Sequence, residues 1–207
     1  MSHYIKQSLR KYFIMGSQNC SHDPTEILES AAEAGITAFQ FREKGPKSLT
    51  GNAKLELGKQ LRDICRKHHI PFIVNDDIDL VTPLDADGIH VGQEDQSVEE
   101  LRKMFPTKII GLSVSNSYEV ENSPLQVVDY VGAGPIFATN TKSDAKAPVG
   151  VEWITTLRKQ FPDQPIVGIG GINTENALSV IEAGADGVSF ITAITTANDI
   201  NLAVQRL

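Results

Sequence analysis

Residues 182–190 read "EAGADGVSF", and two other stretches, "EAGITAFQF" (33–41) and "LDADGIHVG" (84–92), are built in the same way. In each, a turn of small residues leads directly into a short apolar run. Such a pattern is typical of a chain that leaves a turn and enters a buried strand. The three stretches therefore predict a repeated structural unit.

The chain contains eight apolar runs of this kind, all short and rich in valine, isoleucine and phenylalanine. This length and composition are typical of strands that are buried on both faces. The runs cover residues 12–16, 38–43, 72–76, 87–92, 109–113, 129–134, 166–171 and 186–191.

Amphipathic segments separate the runs. Residues 24–34 form one, with Asp23 as N-cap and Gly35 as the stop, and helical spacing also marks 52–68 and 174–183. Only 77–86 is too short for a full helix. Alternating strands and helices imply a parallel sheet with right-handed crossovers. We therefore predict an α/β protein, a single-domain (β/α)8 TIM barrel over residues 1–207, with an open doubly wound sheet as the alternative.

The composition excludes several classes of partner. The net charge of −7 argues against a nucleic-acid surface, which needs a basic face. No stretch reaches the roughly 18 apolar residues of a membrane span, and the N-terminal apolar run is too short for a signal peptide. Cys20 and Cys65 lack metal or CxxC spacing, so we expect free thiols in a reducing compartment. We predict a cytoplasmic protein with small-molecule partners, and the sequence leaves open whether it forms a homo-oligomer.

Charged side chains follow several predicted strands, at the end where (β/α)8 barrels carry their active sites. Arg42, Lys44 and Lys142 are cations that suit a phosphate group. Asp76 and Asp95 supply two hard oxygens, which suit Mg²⁺ held by few carboxylates together with substrate phosphates. Each residue alone would more often be an ordinary loop or capping residue. Together on one rim, they predict a site for a metal-bound, phosphorylated ligand.

A second phosphate site is predicted after the seventh strand, where "GIGG" (168–171) suits a monophosphate bound by backbone N–H groups. No catalytic dyad accompanies these groups. His90 has no obvious relay partner in the sequence, and taken alone it is more often a core residue. The set therefore predicts a reaction that depends on positioning and charge neutralisation, such as the departure of pyrophosphate.

These motifs together resemble the thiamine-phosphate synthase family. The resemblance extends in order over residues 12–194. It rests on "YFIMGS" (12–17), "QFREKG" (40–45), "FIVNDD" (72–77), "DGIHVGQED" (87–95), "DYVGAGPIF" (129–137), "TNTK" (139–142), "PIVGIGGI" (165–172) and "GADGVSFI" (184–191). It implies a (β/α)8 barrel that joins a pyrimidine diphosphate to a thiazole phosphate, with thiamine phosphate and pyrophosphate as products.

The resemblance also implies roles for individual residues. Those expected to contact the pyrimidine diphosphate, with His90 added from the rim, are Gln40, Arg42, Lys44, Asn75, His90, Ser113 and Lys142, of which Arg42, Lys44, Ser113 and Lys142 are the catalytic candidates. Asp76 and Asp95 are expected to hold Mg²⁺ on the diphosphate. The thiazole phosphate is assigned to Thr139, Asn140, Thr141, Gly171, Ser189, Ile191 and Thr192. Alternation along the second strand leaves Glu43 out of the chemistry.

One motif departs from the family pattern. Relatives often read Ser-x-His-Thr after the fifth strand, whereas this chain reads "SVSN" (113–116), which puts fine contacts on the pyrimidine side in doubt. Three alternatives remain: a thiazole tautomerase-like enzyme that uses His90 for proton transfer, a non-catalytic thiamine-precursor binding protein, and a phosphosugar isomerase. The cation set and the aspartate pair favour the synthase, because binding a monophosphate needs neither.

Overall fold

The computed structural model describes residues 2–139, 141 and 146–207. Eight strands pair in parallel in sequence order, and β8 pairs with β1, so the sheet closes. The strands are β1 Lys11–Met15, β2 Ala38–Phe41, β3 Phe72–Asn75, β4 Gly88–Val91, β5 Ile109–Val114, β6 Tyr130–Ala133, β7 Ile166–Gly168 and β8 Gly187–Phe190. The predicted (β/α)8 barrel is confirmed, and the open doubly wound sheet is excluded.

The described residues contain nine α-helices. They are α1 Ser2–Ser8, α2 Pro24–Glu33, α3 Gly51–Lys67, α4 Val98–Met104, α5 Ser117–Glu121, α6 Glu152–Gln160, α7 Ala177–Glu182, α8 Thr192–Thr195 and α9 Ile200–Arg206. Asp23 caps α2 as predicted, since its carboxylate accepts a hydrogen bond from the Thr25 N–H at 2.8 Å. None of the helices in these described ranges is long and apolar enough to cross a membrane.

One helix boundary differs from the prediction, and one helix was not predicted. Helix α7 begins at Ala177 rather than at 174, because the Asn173 side chain accepts from the Glu175 N–H at 2.8 Å and holds the intervening residues in a turn. Residues 77–86, which are too short for a full helix, form a 3₁₀ turn at Ile78–Leu80, as the sequence indicated. Helix α1 was not predicted, and its Ile5, together with Leu9 of the following turn, packs with the residues inside the barrel.

Side chains along the strands alternate between two apolar cores. The inner core fills the barrel with Tyr12, Ala38, Ile73, Tyr130 and Val167, in addition to the α1 contacts. The larger core lies between the barrel and its helices, where Phe39 and Phe41 of β2 point. Because the two cores alternate with period two, inward-facing residues at the strand ends converge on the barrel mouth.

A repeated polar clamp explains the self-similar stretches. The residue just before each even-numbered strand accepts a hydrogen bond from a backbone N–H at the start of the preceding strand. These pairs are Thr37 with Lys11, Asp87 with Phe72, Asp129 with Ile110, and Asp186 with Ile166. In the three aspartate cases an arginine of the helix before the odd strand also donates to the carboxylate.

The arginines of two clamps belong to a second repeat, "LRKMFP" (101–106) and "LRKQFP" (157–162). Arg102 donates to Asp129 at 2.6 Å and to the carbonyl oxygens of Pro106 and Val127. Arg158 makes the corresponding bonds to Asp186 and to the carbonyls of Pro162 and Gly184. Each arginine thus ties the end of its helix to two strands at the amino-terminal face of the barrel.

Replacing Asp129 by alanine is expected to lower the free energy of unfolding by about 2–3 kcal/mol, because Arg102 and the Ile110 N–H lose a partly buried partner. Urea unfolding followed by circular dichroism measures the change. The matched control is Asp63→Ala, whose carboxylate is 75% exposed and pairs with Arg66 on the helix surface. That change should cost less than about 0.5 kcal/mol, and equal losses in both variants would contradict the clamp.

Candidate active site

A cavity of about 360 Å³ opens at the carboxyl ends of the strands. Its floor and walls combine apolar residues of β1, of β8 and of the segment after β7 with polar residues that follow most of the strands. The predicted site residues that line it are Arg42, Lys44, Asn75, Asp76, His90, Asp95, Ser113, Thr139, Thr141, Gly171, Ser189, Ile191 and Thr192. Asn140 and Lys142 lie outside the described residues, and Gln40 is not among the lining residues.

Arg42 and Lys44 come from the end of β2. The backbone of Arg42 is held on both sides, since its N–H donates to the Met15 carbonyl at 2.9 Å and its carbonyl accepts from the Gln18 amide at 2.8 Å. Its side chain is buried against the cavity wall with 6% of the residue exposed. Lys44 reaches further out and donates to Asp76 at 2.5 Å. This hydrogen bond holds the pKa of Lys44 above its ordinary value, so the ammonium stays charged at neutral pH.

Asp76 and Asp95 lie at the ends of neighbouring strands. Asp76 has a backbone φ of +58°, a left-handed conformation that is uncommon outside glycine and often found at functional sites. Its N–H donates to the His90 carbonyl at 2.9 Å, which ties the end of β3 to β4. Asp95 Oδ2 accepts from the Gly92 N–H at 2.8 Å, so a tight turn places the carboxylate over the cavity.

The donor set fits Mg²⁺ held jointly with a ligand. In the part of the chain that the structure describes, no cluster of three or more His, Cys, Asp or Glu side chains forms a metal cage. Two carboxylates on one cavity wall are what Mg²⁺ uses when phosphate oxygens and water complete its shell. Asp77 is turned away from this pair and bonds with Lys54 at 2.8 Å.

Glu43 is a structural residue, in keeping with its exclusion from the predicted chemistry. Its buried carboxylate accepts from the Ser17 N–H and hydroxyl and from the Leu49 N–H, at 2.5–2.8 Å. These bonds join the loop after β1 to the loop after β2. They therefore hold the segment from which Arg42 and Lys44 project.

The wall after β6 and β7 is formed by backbone in close contact. Gly170 and Gly171 have φ values of +95° and +66°, and a Cβ on Gly171 would lie 2.5 Å from the Ala138 carbonyl oxygen. Only glycine allows the two loops to approach this closely. Thr139 and Thr141 follow on the same wall, with the Thr141 N–H bonded to the Thr139 hydroxyl at 3.3 Å.

The sequence prediction missed Glu119 and Lys146, which line the cavity and bond to each other. Glu119 is 8% exposed, and its carboxylate also accepts from the Ser115 N–H at 2.7 Å. Asn116 caps α5 by accepting from the Glu119 N–H at 2.9 Å. The pattern Asn-x-x-Glu at 116–119 resembles a capping box and could have located Glu119, but no local pattern links it to Lys146.

This geometry, with polar residues at the carboxyl ends of a closed parallel barrel, defines a (β/α)8-barrel enzyme. A family model described as thiamine monophosphate synthase matches residues 11–194. The chain therefore belongs to the thiamine monophosphate synthase family and is a transferase of thiamine biosynthesis.

Relatives and a solved structure agree with this assignment. Thiamine-phosphate synthase of Oceanobacillus iheyensis is 66% identical over 204 residues, which cover 99% of both chains. Thiamine-phosphate synthase 1 of Streptococcus pneumoniae is 47% identical over 99% of this chain and 98% of its own. The structure of thiamine phosphate pyrophosphorylase from Pyrococcus furiosus superposes with a TM-score of 0.85 at 32% identity, covering 98% of this chain and 95% of that one.

Proposed function

We propose that this enzyme joins 4-amino-2-methyl-5-hydroxymethylpyrimidine diphosphate to 4-methyl-5-(2-hydroxyethyl)thiazole phosphate, forming thiamine phosphate and pyrophosphate. The observation that carries this proposal is the placement of two cations and two carboxylates, Arg42, Lys44, Asp76 and Asp95, around one cavity. A diphosphate that leaves together with a metal ion needs both kinds of group. The activity for which the relatives are named supports the same reaction.

The proposed chemistry is a dissociative substitution. The bond between the pyrimidine methylene carbon and the diphosphate oxygen breaks first, and its electron pair leaves with the diphosphate. The lone pair of the thiazole nitrogen then forms the new carbon–nitrogen bond, and the positive charge passes to the thiazolium ring of the product. No proton has to move in this step, so the rate depends on positioning and on neutralising the charge of the leaving group.

The cations have distinct roles in this proposal. The buried Arg42 guanidinium offers a fixed, two-pronged donor to the leaving diphosphate. The side chain of Lys44 is 48% exposed, so it can turn from Asp76 to a phosphate oxygen without disturbing the core. Lys142, outside the described residues, is proposed as the third cation. Charge neutralisation of this kind acts mainly on the transition state, in which negative charge develops on the diphosphate.

Asp76 and Asp95 are the residues that would hold Mg²⁺. The ion, when bound, supplies further positive charge to the departing diphosphate. Asn75 and Ser113 would donate to the pyrimidine diphosphate from the cavity wall. Gln40 belongs to the same predicted set, although it does not line the cavity and its amide donates to the Tyr12 hydroxyl at 2.8 Å.

The thiazole phosphate is assigned to the wall after β6, β7 and β8. Thr139 and Thr141 offer hydroxyl donors, and the backbone around Gly171, Ile191 and Thr192 offers N–H groups, with Ser189 beneath them. Asn140 belongs to the same predicted set but lies outside the described residues. The proposal thus assigns the two substrates to different walls of one cavity.

The contacts of His90 argue against the tautomerase alternative. The two ring nitrogens of His90 lie 2.9 Å from the hydroxyl oxygens of Ser113 and Tyr130. A proton transfer between His90 and a substrate would first have to break one of these hydrogen bonds. With Cys20 and Cys65 both free, we further propose a cytoplasmic location.

Mixing the purified protein with both substrates and Mg²⁺ is expected to release one pyrophosphate for each thiamine phosphate formed. A coupled phosphate assay and chromatography measure the two products. Each substrate alone is the control and should give no thiamine phosphate. If well-folded protein forms neither product, the proposed reaction is wrong.

A further inference from the structure

A chain of hydrogen bonds runs from the cavity into the barrel. Ser113 Oγ lies 2.9 Å from His90 Nε2, and His90 Nδ1 lies 2.9 Å from the Tyr130 hydroxyl. That hydroxyl lies 2.9 Å from the Tyr12 hydroxyl, which accepts from the Gln40 amide nitrogen at 2.8 Å. The five side chains come from five different strands, and only Ser113 and His90 line the cavity.

Two glycines create the space for this chain of hydrogen bonds. In the strand register Gly111 is paired with His90 on one side and with Tyr130 on the other. A Cβ on Gly111 would lie 2.2 Å from the Tyr130 ring and 2.5 Å from His90 Nδ1. The missing side chain lets the two rings stack across β5 with their centroids 5.4 Å apart. Gly132 leaves further room beside the imidazole, since its Cβ would lie 3.1 Å from His90 Cε1.

One order of donors is consistent with every contact in this hydrogen-bond chain. Burial raises the pKa of Tyr12 and Tyr130 well above the ordinary value, so each phenol keeps its single hydrogen at neutral pH. Because the Gln40 amide donates to Tyr12, the Tyr12 hydrogen is directed to Tyr130. The Tyr130 hydrogen is then directed to His90 Nδ1. If Tyr130 donated to Tyr12 instead, the Tyr12 hydrogen would have to point at the amide hydrogens of Gln40, which cannot accept it.

We propose that Tyr130 is a positioning residue, which donates to Nδ1 of His90 and thereby holds the imidazole as the neutral tautomer protonated at Nε2. His90 then donates to Ser113 Oγ, and the Ser113 hydrogen is left to donate into the cavity. This inference rests on the proposed function in one respect. The Ser113 hydroxyl has to be a hydrogen-bond donor because the proposed ligand, a diphosphate, is an anion. Tyr130 does not line the cavity and acts only through His90.

Nuclear magnetic resonance of protein with ¹⁵N-labelled histidine tests the inference without any turnover. In the unaltered protein His90 should show a protonated Nε2 and an unprotonated Nδ1, with the signal assigned by its loss in His90→Gln. Tyr130→Phe should convert it to a mixture of tautomers. The kcat of pyrophosphate release should fall about 10-fold, the equivalent of one hydrogen bond, with KM for the thiazole phosphate unchanged.

Two further variants separate positioning from general damage. Tyr12→Phe removes the hydroxyl that directs the Tyr130 hydrogen, and it should disturb the His90 tautomer less than Tyr130→Phe does, because the Tyr130 hydroxyl is still in place to donate to Nδ1. In a Ser113→Ala background, Tyr130→Phe should cause no additional loss of kcat, because the effect passes through Ser113.

Several outcomes would overturn the inference: His90 protonated at Nδ1 or at both nitrogens in the unaltered protein, an unchanged tautomer in Tyr130→Phe, or full additivity with Ser113→Ala. If Tyr130→Phe fails to fold, the tautomer of the unaltered protein still decides. An absence of turnover in the unaltered protein would contradict the proposed reaction, whereas the spectra would still report on Tyr130.

Discussion

Replacing Arg42 by alanine is expected to lower the rate of pyrophosphate release about 10³-fold, because a buried, preorganised donor to developing charge is worth roughly this much in other enzymes. The loss should fall on kcat, since the charge that Arg42 stabilises grows as the diphosphate departs. The fold should survive, because the Arg42 backbone is bonded to Met15 and Gln18 and keeps both contacts in the variant. Steady-state kinetics together with thermal unfolding measure the two effects separately.

The matched control is Arg66→Ala, which removes an arginine of α3 whose side chain is 56% exposed and pairs with surface aspartates. It should leave the rate within about 2-fold, because exposed ion pairs contribute little. Arg42→Lys should recover part of the rate, since it keeps the charge but loses the fork. If Arg42→Ala instead unfolds the chain while the folded fraction keeps its full rate, Arg42 is a structural residue and not a catalytic one.

The barrel could be predicted because its strands are buried on both faces and are therefore visible as apolar runs. The alternation along β2 also indicated that Arg42 and Lys44 reach the mouth, and both line the cavity. Helix α1 was missed because its only large apolar side chains in the described part are Tyr4 and Ile5, too few for a periodic pattern. Its place is fixed by Ile5 and Leu9 packing into the barrel, which is a tertiary effect.

Parts of the site depend on contacts that no local pattern encodes. Glu119 and Lys146 are 27 residues apart and meet only because β5 and β6 are neighbours. Gln40 lies on the same side of β2 as Arg42 but deeper in the barrel, where its amide donates to the Tyr12 hydroxyl. Period two gives the side of a strand on which a residue lies, but not the depth at which the cavity ends.

Removing divalent metal is expected to lower turnover at least about 10³-fold, because the side-chain cations alone leave the departing diphosphate without the further positive charge that the ion would supply. Treatment with EDTA followed by gel filtration gives the metal-free protein, and added Mg²⁺ should restore the rate. Asp76→Asn and Asp95→Asn should each raise the Mg²⁺ concentration needed for half-maximal rate about 10-fold or more. Paramagnetic resonance of Mn²⁺ in the presence of pyrophosphate should show the same weakening without turnover.

Asp77→Asn separates the proposed ligands from general loss of negative charge. Asp77 is adjacent to Asp76 in sequence, but its carboxylate bonds with Lys54 and does not line the cavity. Its variant should therefore keep the Mg²⁺ dependence of the unaltered enzyme.

The Lys44–Asp76 pair leads to a further prediction. In Asp76→Asn, Lys44 loses its charged partner and becomes available to phosphate even without metal. Asp76→Asn should accordingly keep more metal-free turnover than Asp95→Asn. Equal Mg²⁺ requirements in all three variants, or an enzyme insensitive to EDTA, would show that these carboxylates do not hold the ion.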